Sequence, residues 1–292
     1  DTKTAFTMKS DRRNCDLSFS NLCSWRFLYD TQYTVIDNFL VFKFWAGEQL
    51  AYMMPVGSGD LKAILRELIE DADKEKHNFC MLGVCSNMRA DLEAILPGQF
   101  TFTENRDYAD YIYLRSDLAT LKGKKFQAKR NHINRFRNTY PDYDTPITPD
   151  RIQECLDLEA EWCKVNNCDQ QEGTGNERRA LIYALHNFEA LGLTGGILHV
   201  NGKIVAFTFG MPINHETFGV HVEKADTNID GAYAMINYEF ANHIPEQYIY
   251  INREEDLGLE GLRKAKLSYQ PVTILEKYMA CLKDHPMDII RW

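Results

Sequence analysis

The stretch GGILHVNGKIVAFTFGMPINHETFGVHVEKA, residues 195–225, holds three apolar runs separated by Asn201-Gly202 and Asn214-His215. Asn-Gly readily adopts the positive backbone angles of a two-residue hairpin turn, so this spacing predicts consecutive antiparallel strands. Beyond it, Gly231 opens a helical pattern over AYAMINYEFANHI. Tyr248 to Asn252 then reads as a strand, Gly258 to Lys266 as a helix, and Val272 to Tyr278 as a last strand. Before it, Pro149-Asp150 opens a helix through Ile152, Leu156, Leu158 and Trp162. The polar residues Asn166 to Asn176 lead to another, through Ala180, Leu181, Tyr183, Ala184 and Leu185.

The first half repeats this order. YTVID, FLVFKFW and LAYMM, between Tyr33 and Met54, form a meander broken by short turns. Ser58 or Asp60 caps a helix through Leu61, Ile64, Leu65, Leu68 and Ile69. A buried-type strand (FCMLGVC), a short helix from Ser86 and paired strands around FTFTE and YADYIYLR follow. One strand, two helices, three strands, helix, strand, helix, strand is the order of the GNAT (acetyltransferase-like) fold; the first half lacks a clear opening strand. The expected class is α+β, with two tandem GNAT domains built on mixed central sheets flanked by helices. Their expected bounds are residues 1–115 and 141–292, with a basic connecting helix at 116–140. A chain of 292 residues exceeds the usual size of one core, which favours two. The competing reading is an unrelated pair of α+β domains.

The net charge of −9 makes the surface as a whole repel nucleic acid and anionic lipid, so anion binding has to be local and DNA is not an expected partner. No apolar run approaches a bilayer span, and Asp1 to Ser10 lacks the apolar core of a signal peptide. The expectation is no stable membrane insertion and residence in the cytoplasm. Eight cysteines are present without a C-x-x-C pair, which predicts reduced core thiols and no metal site.

From Leu118 to Pro141 there is no acidic residue, yet there are seven Lys or Arg plus His132. Lys125, Lys129, His132 and Phe136 fall at helical spacing and line one side of a helix expected from Ser116 to about Asn138. One reading is a surface helix whose lysine stems cover apolar neighbours. The other is a basic strip facing a cleft between the halves and holding an anionic ligand.

LRSDLATLKGKKFQAKRNHINRF (114–136) and NREEDLGLEGLRKAKLSYQP (252–271) resemble a bacterial family of largely uncharacterised proteins. That family is classed with the C-terminal domain of phosphatidylglycerol lysyltransferase. The resemblance covers nearly the whole chain and implies a tandem GNAT-like fold related to the Fem aminoacyltransferases. Those relatives move an amino acid from aminoacyl-tRNA to an amine or hydroxyl acceptor. The two donors to weigh are therefore aminoacyl-tRNA and an acyl-CoA.

Acetyltransferases of this fold hold the CoA pyrophosphate on backbone N–H groups of a Q/R-x-x-G-x-G/A loop at a helix start. The corresponding Asn228-Ile-Asp-Gly231-Ala-Tyr233 has one glycine, no basic lead residue and an extra carboxylate, Asp230. In the first half, Pro55-Val-Gly57-Ser-Gly59 supplies glycines without a basic lead. Acyl transfer needs a proton acceptor, for which Glu223 and Asp256 are the candidates. His221 shares the strand parity of Glu223, so both are expected on one face. Arg263 and Lys266 sit three apart on a helix and join Lys125, Lys129 and His132 as candidate contacts to an anionic substrate. No serine elbow, H-E-x-x-H, complete phosphate loop or dinucleotide fingerprint occurs, which turns the reading away from hydrolases, zinc proteases and nucleotide-dependent enzymes. An acyl- or aminoacyltransferase is the leading expectation. A non-catalytic module binding an anionic metabolite or lipid headgroup is the alternative, and a membrane-associated lipid aminoacyltransferase a third. Oligomeric state is not legible.

Overall fold

The computed structural model describes residues 2–145, 149–168 and 172–283. Three short helices, α1 (Thr2–Thr7), α2 (Phe19–Ser24) and α3 (Arg26–Tyr29), precede a meander of β1 (Gln32–Ile36), β2 (Phe39–Ala46) and β3 (Gln49–Tyr52). Then come β4 (Val56–Gly57), α4 (Leu61–Lys74), β5 (Cys80–Val84), α5 (Ser86–Ile95), β6 (Phe100–Glu104) and β7 (Asp110–Leu114). The connection consists of α6 (Arg115–Thr120) and α7 (Gln127–Thr139). The second half has α8 (Ile152–Asn166), α9 (Glu172–His186), β8 (Thr194–Val200), β9 (Lys203–Pro212), β10 (Thr217–Ala225) and α10 (Ala232–His243). It ends with β11 (Tyr250–Asn252), α11 (Glu260–Leu267), β12 (Thr273–Leu275) and β13 (Tyr278–Leu282). Of the two caps open for α4, Asp60 takes the role, its carboxylate accepting the Ala63 N–H at 3.1 Å. Among the described residues no helix is long and apolar enough to cross a membrane.

Two mixed sheets flanked by helices give the tandem GNAT-like α+β architecture. One sheet runs β1-β2-β3-β5-β13-β6, with β4 also on β2; the other runs β12-β7-β11-β10-β9-β8. In each, the last meander strand meets the strand beyond the following helix in parallel: β3 beside β5 across α4, and β10 beside β11 across α10. The sheets do not respect the division expected at residues 115 and 141. β7 belongs to the first half of the chain but pairs with β11 and β12 in the second sheet. Conversely, β13 inserts between β5 and β6 of the first. The run expected as one strand from Val272 to Tyr278 is in fact two strands in different sheets, parted at Glu276-Lys277. Apolar patterning reports that a residue is in a sheet but not in which one.

The connecting helix is likewise interrupted. Leu121 and Gly123 take φ of 48° and 94°, and a 3-10 turn over Lys124–Phe126 precedes α7. Lys125 therefore falls off the expected stripe. The expectation of reduced thiols is corrected at two places: Cys80 pairs with Cys281, and Cys163 with Cys168, in disulfides. Cys80 and Cys281 are direct cross-strand partners, brought together over 201 residues by the strand exchange.

The exchanged strands are tied by a buried charge. Lys277 precedes β13, and its ammonium lies 2.8 Å from Asp110 at the start of β7, 3.0 Å from Asp16 and 3.1 Å from Glu255. Burial alone would lower the Lys277 pKa; Asp110 and Asp16 overcome it and raise it well above the ordinary value. Cys15, Asp110 and Glu255 bring potential ligand atoms within 4.8 Å of one another, but the ammonium among them already supplies the positive charge. Lys277→Met would leave the buried Asp110 and the half-buried Asp16 without their cation, and is expected to cost about 3–5 kcal/mol. Urea unfolding of the two proteins checks this; a midpoint unchanged by the substitution would show that the cluster does not hold the sheets together.

Candidate functional site

β10 and β11 pair in parallel over Thr217–Gly219 and Tyr250–Asn252 and then part. Their separated ends, with α10, α11, α7 and the α2 region, enclose a cleft of about 830 Å³. The register of β10 against β9 shifts between Val220 and Val222, leaving His221 as the extra residue of a bulge. Both His221 and Glu223 line the cleft.

The Glu223 carboxylate is held on both oxygens. Arg253 donates to Oε1 at 2.9 Å and Asn237 to Oε2 at 3.2 Å. Arg253 lies over the Tyr269 and Tyr113 rings, and its Nη1 is buried with no hydrogen-bond partner among the described residues. Lys266 is buried under the same wall and donates to the backbone oxygens of Arg253 and Glu255 at 2.5 and 2.6 Å. Burial, with Arg253 nearby, lowers its pKa to about 8. Lys129 lines the cleft with its ammonium 4.0 Å from the Tyr269 ring centre; burial and then Arg253 lower its pKa.

The expected site residues separate into two groups. Glu223, His221, Lys129, His132 and Lys266 come together around the cleft. Lys125, Asp256 and Arg263 do not line it. Lys125 instead pairs with Asp117 at 2.9 Å. Asp256 is fully buried and accepts from Arg263 at 2.8 and 2.9 Å, from the Gly258 N–H at 2.9 Å and from the Tyr111 hydroxyl. Burial would raise its pKa, but these donors hold it well below the usual carboxylate range. It clamps a loop and has no free lone pair for a proton. Arg263 also binds Asp107 at 2.8 Å, so it does not join Lys266 in an anion site.

The helix expected from Gly258 begins at Glu260, and Glu254, Glu255 and Asp256 lie in the loop before it. Positive φ values at Glu254, Leu257 and Gly258 (63°, 52° and 75°) send the three carboxylates to three places. Asp256 enters the clamp and Glu255 the Lys277 cluster, where burial, opposed by Lys277 and reinforced by Asp110, pushes its pKa up to about 7. Glu254 stays on the cleft wall, accepting from His221 Nδ1 at 2.6 Å and Asn21 Nδ2 at 2.8 Å. Nothing in the local pattern marks Glu254 over its neighbours.

The two loops compared with a phosphate cradle are otherwise engaged. At Gly231 a Cβ would stand 2.7 Å from the His132 carbonyl oxygen, so this glycine lets α7 cross the start of α10. Beside it Asp230 pairs with Arg135 at 2.7 Å and His132 at 3.6 Å. In the first half Arg12 donates to the Met54 and Pro55 carbonyls at 2.7 and 2.6 Å, next to the Gly57-Ser-Gly59 loop.

The model of the family "Phosphatidylglycerol lysyltransferase, C-terminal" matches residues 7–281. A crystal structure of a conserved protein of unknown function from Bacteroides thetaiotaomicron is 93% identical, with 97% of this chain and 96% of that one aligned at a TM-score of 0.95. The structure of L-PGS from Bacillus licheniformis shares the fold at 18% identity, covering 99% and 93% of the two chains with a TM-score of 0.66. An uncharacterised protein of Mycoplasmoides gallisepticum is 26% identical over 173 residues, 58% of this chain; the match spans about half of that relative, 55% of its length.

Lys266 makes the stability of the cleft wall depend on pH in a definite direction. With a folded pKa of about 8 against 10.5, it binds fewer protons folded than unfolded between those values. Stability therefore rises with pH across that window through this group. Denaturation of wild type and Lys266→Met at pH 8 and pH 10 should show the wild type gaining relative to the variant; parallel curves would mean that this ammonium is not strained by burial.

Proposed function

The chain belongs to the phosphatidylglycerol lysyltransferase C-terminal family, and from that premise we propose that it transfers an aminoacyl group from tRNA to an amine or hydroxyl acceptor. The carboxylate and aromatic lining of the cleft carries this reading. It has six carboxylates (Glu177, Glu223, Asp226, Asp230, Glu254, Glu255), of which Asp230 and Glu255 are matched by Arg135 and Lys277, and four lysine or arginine side chains (Lys129, Lys224, Arg253, Lys266). Trp25, Trp162, Tyr233 and Tyr269 supply aromatic surface. An ammonium gains from both features, whereas a polyphosphate gains from neither. Asp230 at the start of α10 adds to the case against a CoA donor, because its carboxylate, held by Arg135, stands where the pyrophosphate would rest. An aminoacyl group carries an ammonium beside its reactive carbonyl, and a lysyl group carries two.

Arg253 lines the cleft while holding Glu223, and its positive charge would favour the oxyanion that forms as the carbonyl is attacked. Exposed Leu257, Leu259 and Leu262 at the cleft suit an acceptor with a hydrocarbon part. Lys122 and Lys124 are exposed beside α7 and give a tRNA backbone a local positive contact on a chain of net charge −9.

The experiment is transfer of radiolabelled lysine from lysyl-tRNA, with phosphatidylglycerol vesicles and a soluble amine as parallel acceptors. Label is expected in one acceptor, and tRNA binding is expected to weaken as salt rises from about 50 to about 200 mM. Binding of lysyl-tRNA without transfer would favour the non-catalytic module. Absence of tRNA binding at low salt, with a thermal shift on adding acetyl-CoA, would replace this donor by an acyl-CoA.

A further inference from the structure

Ser18, His221 and Glu254 form a hydrogen-bonded line: Ser18 Oγ lies 2.9 Å from His221 Nε2, and His221 Nδ1 lies 2.6 Å from Glu254 Oε1. These are the residue types of a hydrolytic triad, but the accessible end is the opposite one. Ser18 is fully buried, does not line the cleft and caps α2, its oxygen accepting the Asn21 N–H at 3.3 Å. No substrate reaches it. The carboxylate is the open end: Glu254 lines the cleft with its side chain 21% exposed.

We propose that Glu254 is the proton acceptor of the transfer reaction and that His221 and Ser18 are its positioning residues. This deepens the aminoacyltransferase reading and rests on it for the substrate.

Three observations favour Glu254 over the other carboxylates. Glu223 has both oxygens bonded, Asp256 is saturated, and Glu255 faces Lys277. Glu254 concentrates its two donors, His221 Nδ1 and Asn21 Nδ2, on Oε1, and Oε2 has no hydrogen bond among the described residues. Finally, its backbone is held in a left-handed conformation (φ 63°) that a glutamate rarely adopts. Four contacts enforce it. Asn252 Oδ1 accepts the Glu254 N–H at 2.7 Å, the Tyr111 N–H donates to its carbonyl at 3.1 Å, and Lys266 grips the carbonyls on either side. Strain this firmly imposed places a side chain where an ordinary loop would not.

The Ser18 hydroxyl, donating to Nε2, fixes the imidazole with its proton on Nδ1, and that proton anchors Oε1. In the reaction, the acceptor's N–H or O–H proton passes to Glu254 Oε2 as its lone pair attacks the ester carbonyl. The new acyl–N or acyl–O bond forms, the acyl–oxygen bond to the ribose breaks, and the proton leaves Glu254 for the departing ribose oxygen. No oxidant or further reactant is needed.

The test combines lysyl-tRNA turnover with nitrogen NMR of the imidazole. Glu254→Gln should lower kcat by roughly 100-fold or more while KM moves by no more than about threefold. His221→Ala should lower kcat by about tenfold, and His221→Asn, whose amide can still donate to Oε1, should recover most of it. In the wild type, NMR should find the His221 proton on Nδ1, and Ser18→Ala should mix the tautomers. A Glu254→Gln protein that transfers lysine at the wild-type rate overturns the proposal, as does a His221 proton on Nε2. If the wild type transfers no lysine while the Nδ1 tautomer is present and becomes mixed in Ser18→Ala, the donor assignment fails and the relay stands.

Discussion

A single ammonium, that of Lys277, holds together parts of the chain that nothing local would bring near each other. It meets Asp110 at the start of one exchanged strand, stands just ahead of the other, and reaches Asp16 from the opening segment and Glu255 from the cleft loop. Desolvating a lysine and three carboxylates is costly, and their mutual attraction offsets that cost when the geometry is tight and the remaining lone pairs are filled. Here they are filled: Asp110 also accepts from the Cys15 N–H at 2.7 Å and from Asn252 at 2.8 Å. The exchange of strands makes the two sheets one folding problem, and this cluster sits at their crossing.

The same cluster reaches the cleft through covalent neighbours. Asn252 binds Asp110 with one side-chain atom and the Glu254 N–H with the other. Glu255, bonded to Lys277, adjoins Glu254, and Lys266 fixes the carbonyls to either side. A loop so constrained can hold a glutamate at φ 63° without relaxing. Strain of this kind costs on the order of 1–3 kcal/mol and persists when surrounding contacts over-determine it.

How much of this could be read beforehand follows the range of the interactions. Hairpins at Asn201-Gly202 and Asn214-His215, a cap at Ser58 or Asp60 and the helix faces were legible, because each depends on residues a few positions apart. The pairing of Glu223 and His221 on one wall was legible from parity, even though a bulge intervenes. The strand exchange was not, since Val272 to Tyr278 has the same alternation whichever sheet receives it. Asp256 and Arg263 have the residue types of a site, but they neutralise each other and Asp107; only coordinates show that an attractive charge has been used up. Glu254 was hidden for the converse reason. Three adjacent acids look alike in a sequence, and the backbone angles that separate them depend on Asn252, Tyr111 and Lys266.

Duplication would ordinarily leave two equivalent clefts, one where β10 and β11 part and one where β3 and β5 do. The opening segment breaks that equivalence. Arg12 donates to the Met54 and Pro55 carbonyls just beyond β3, and burial lowers its pKa to about 10. Asp16 lies beside Gly83 of β5, where a Cβ would meet its carboxylate at 3.4 Å. The segment thus fills the first gap with its own side chains. Running on, it is bound by Asn214 and Asn252 at the Arg12 and Arg13 carbonyls, delivers Asn21 to the wall of the second gap and sets Ser18 behind that wall against His221. One stretch of chain closes one copy of the cleft and furnishes the other, which is why a symmetric fold presents an asymmetric site.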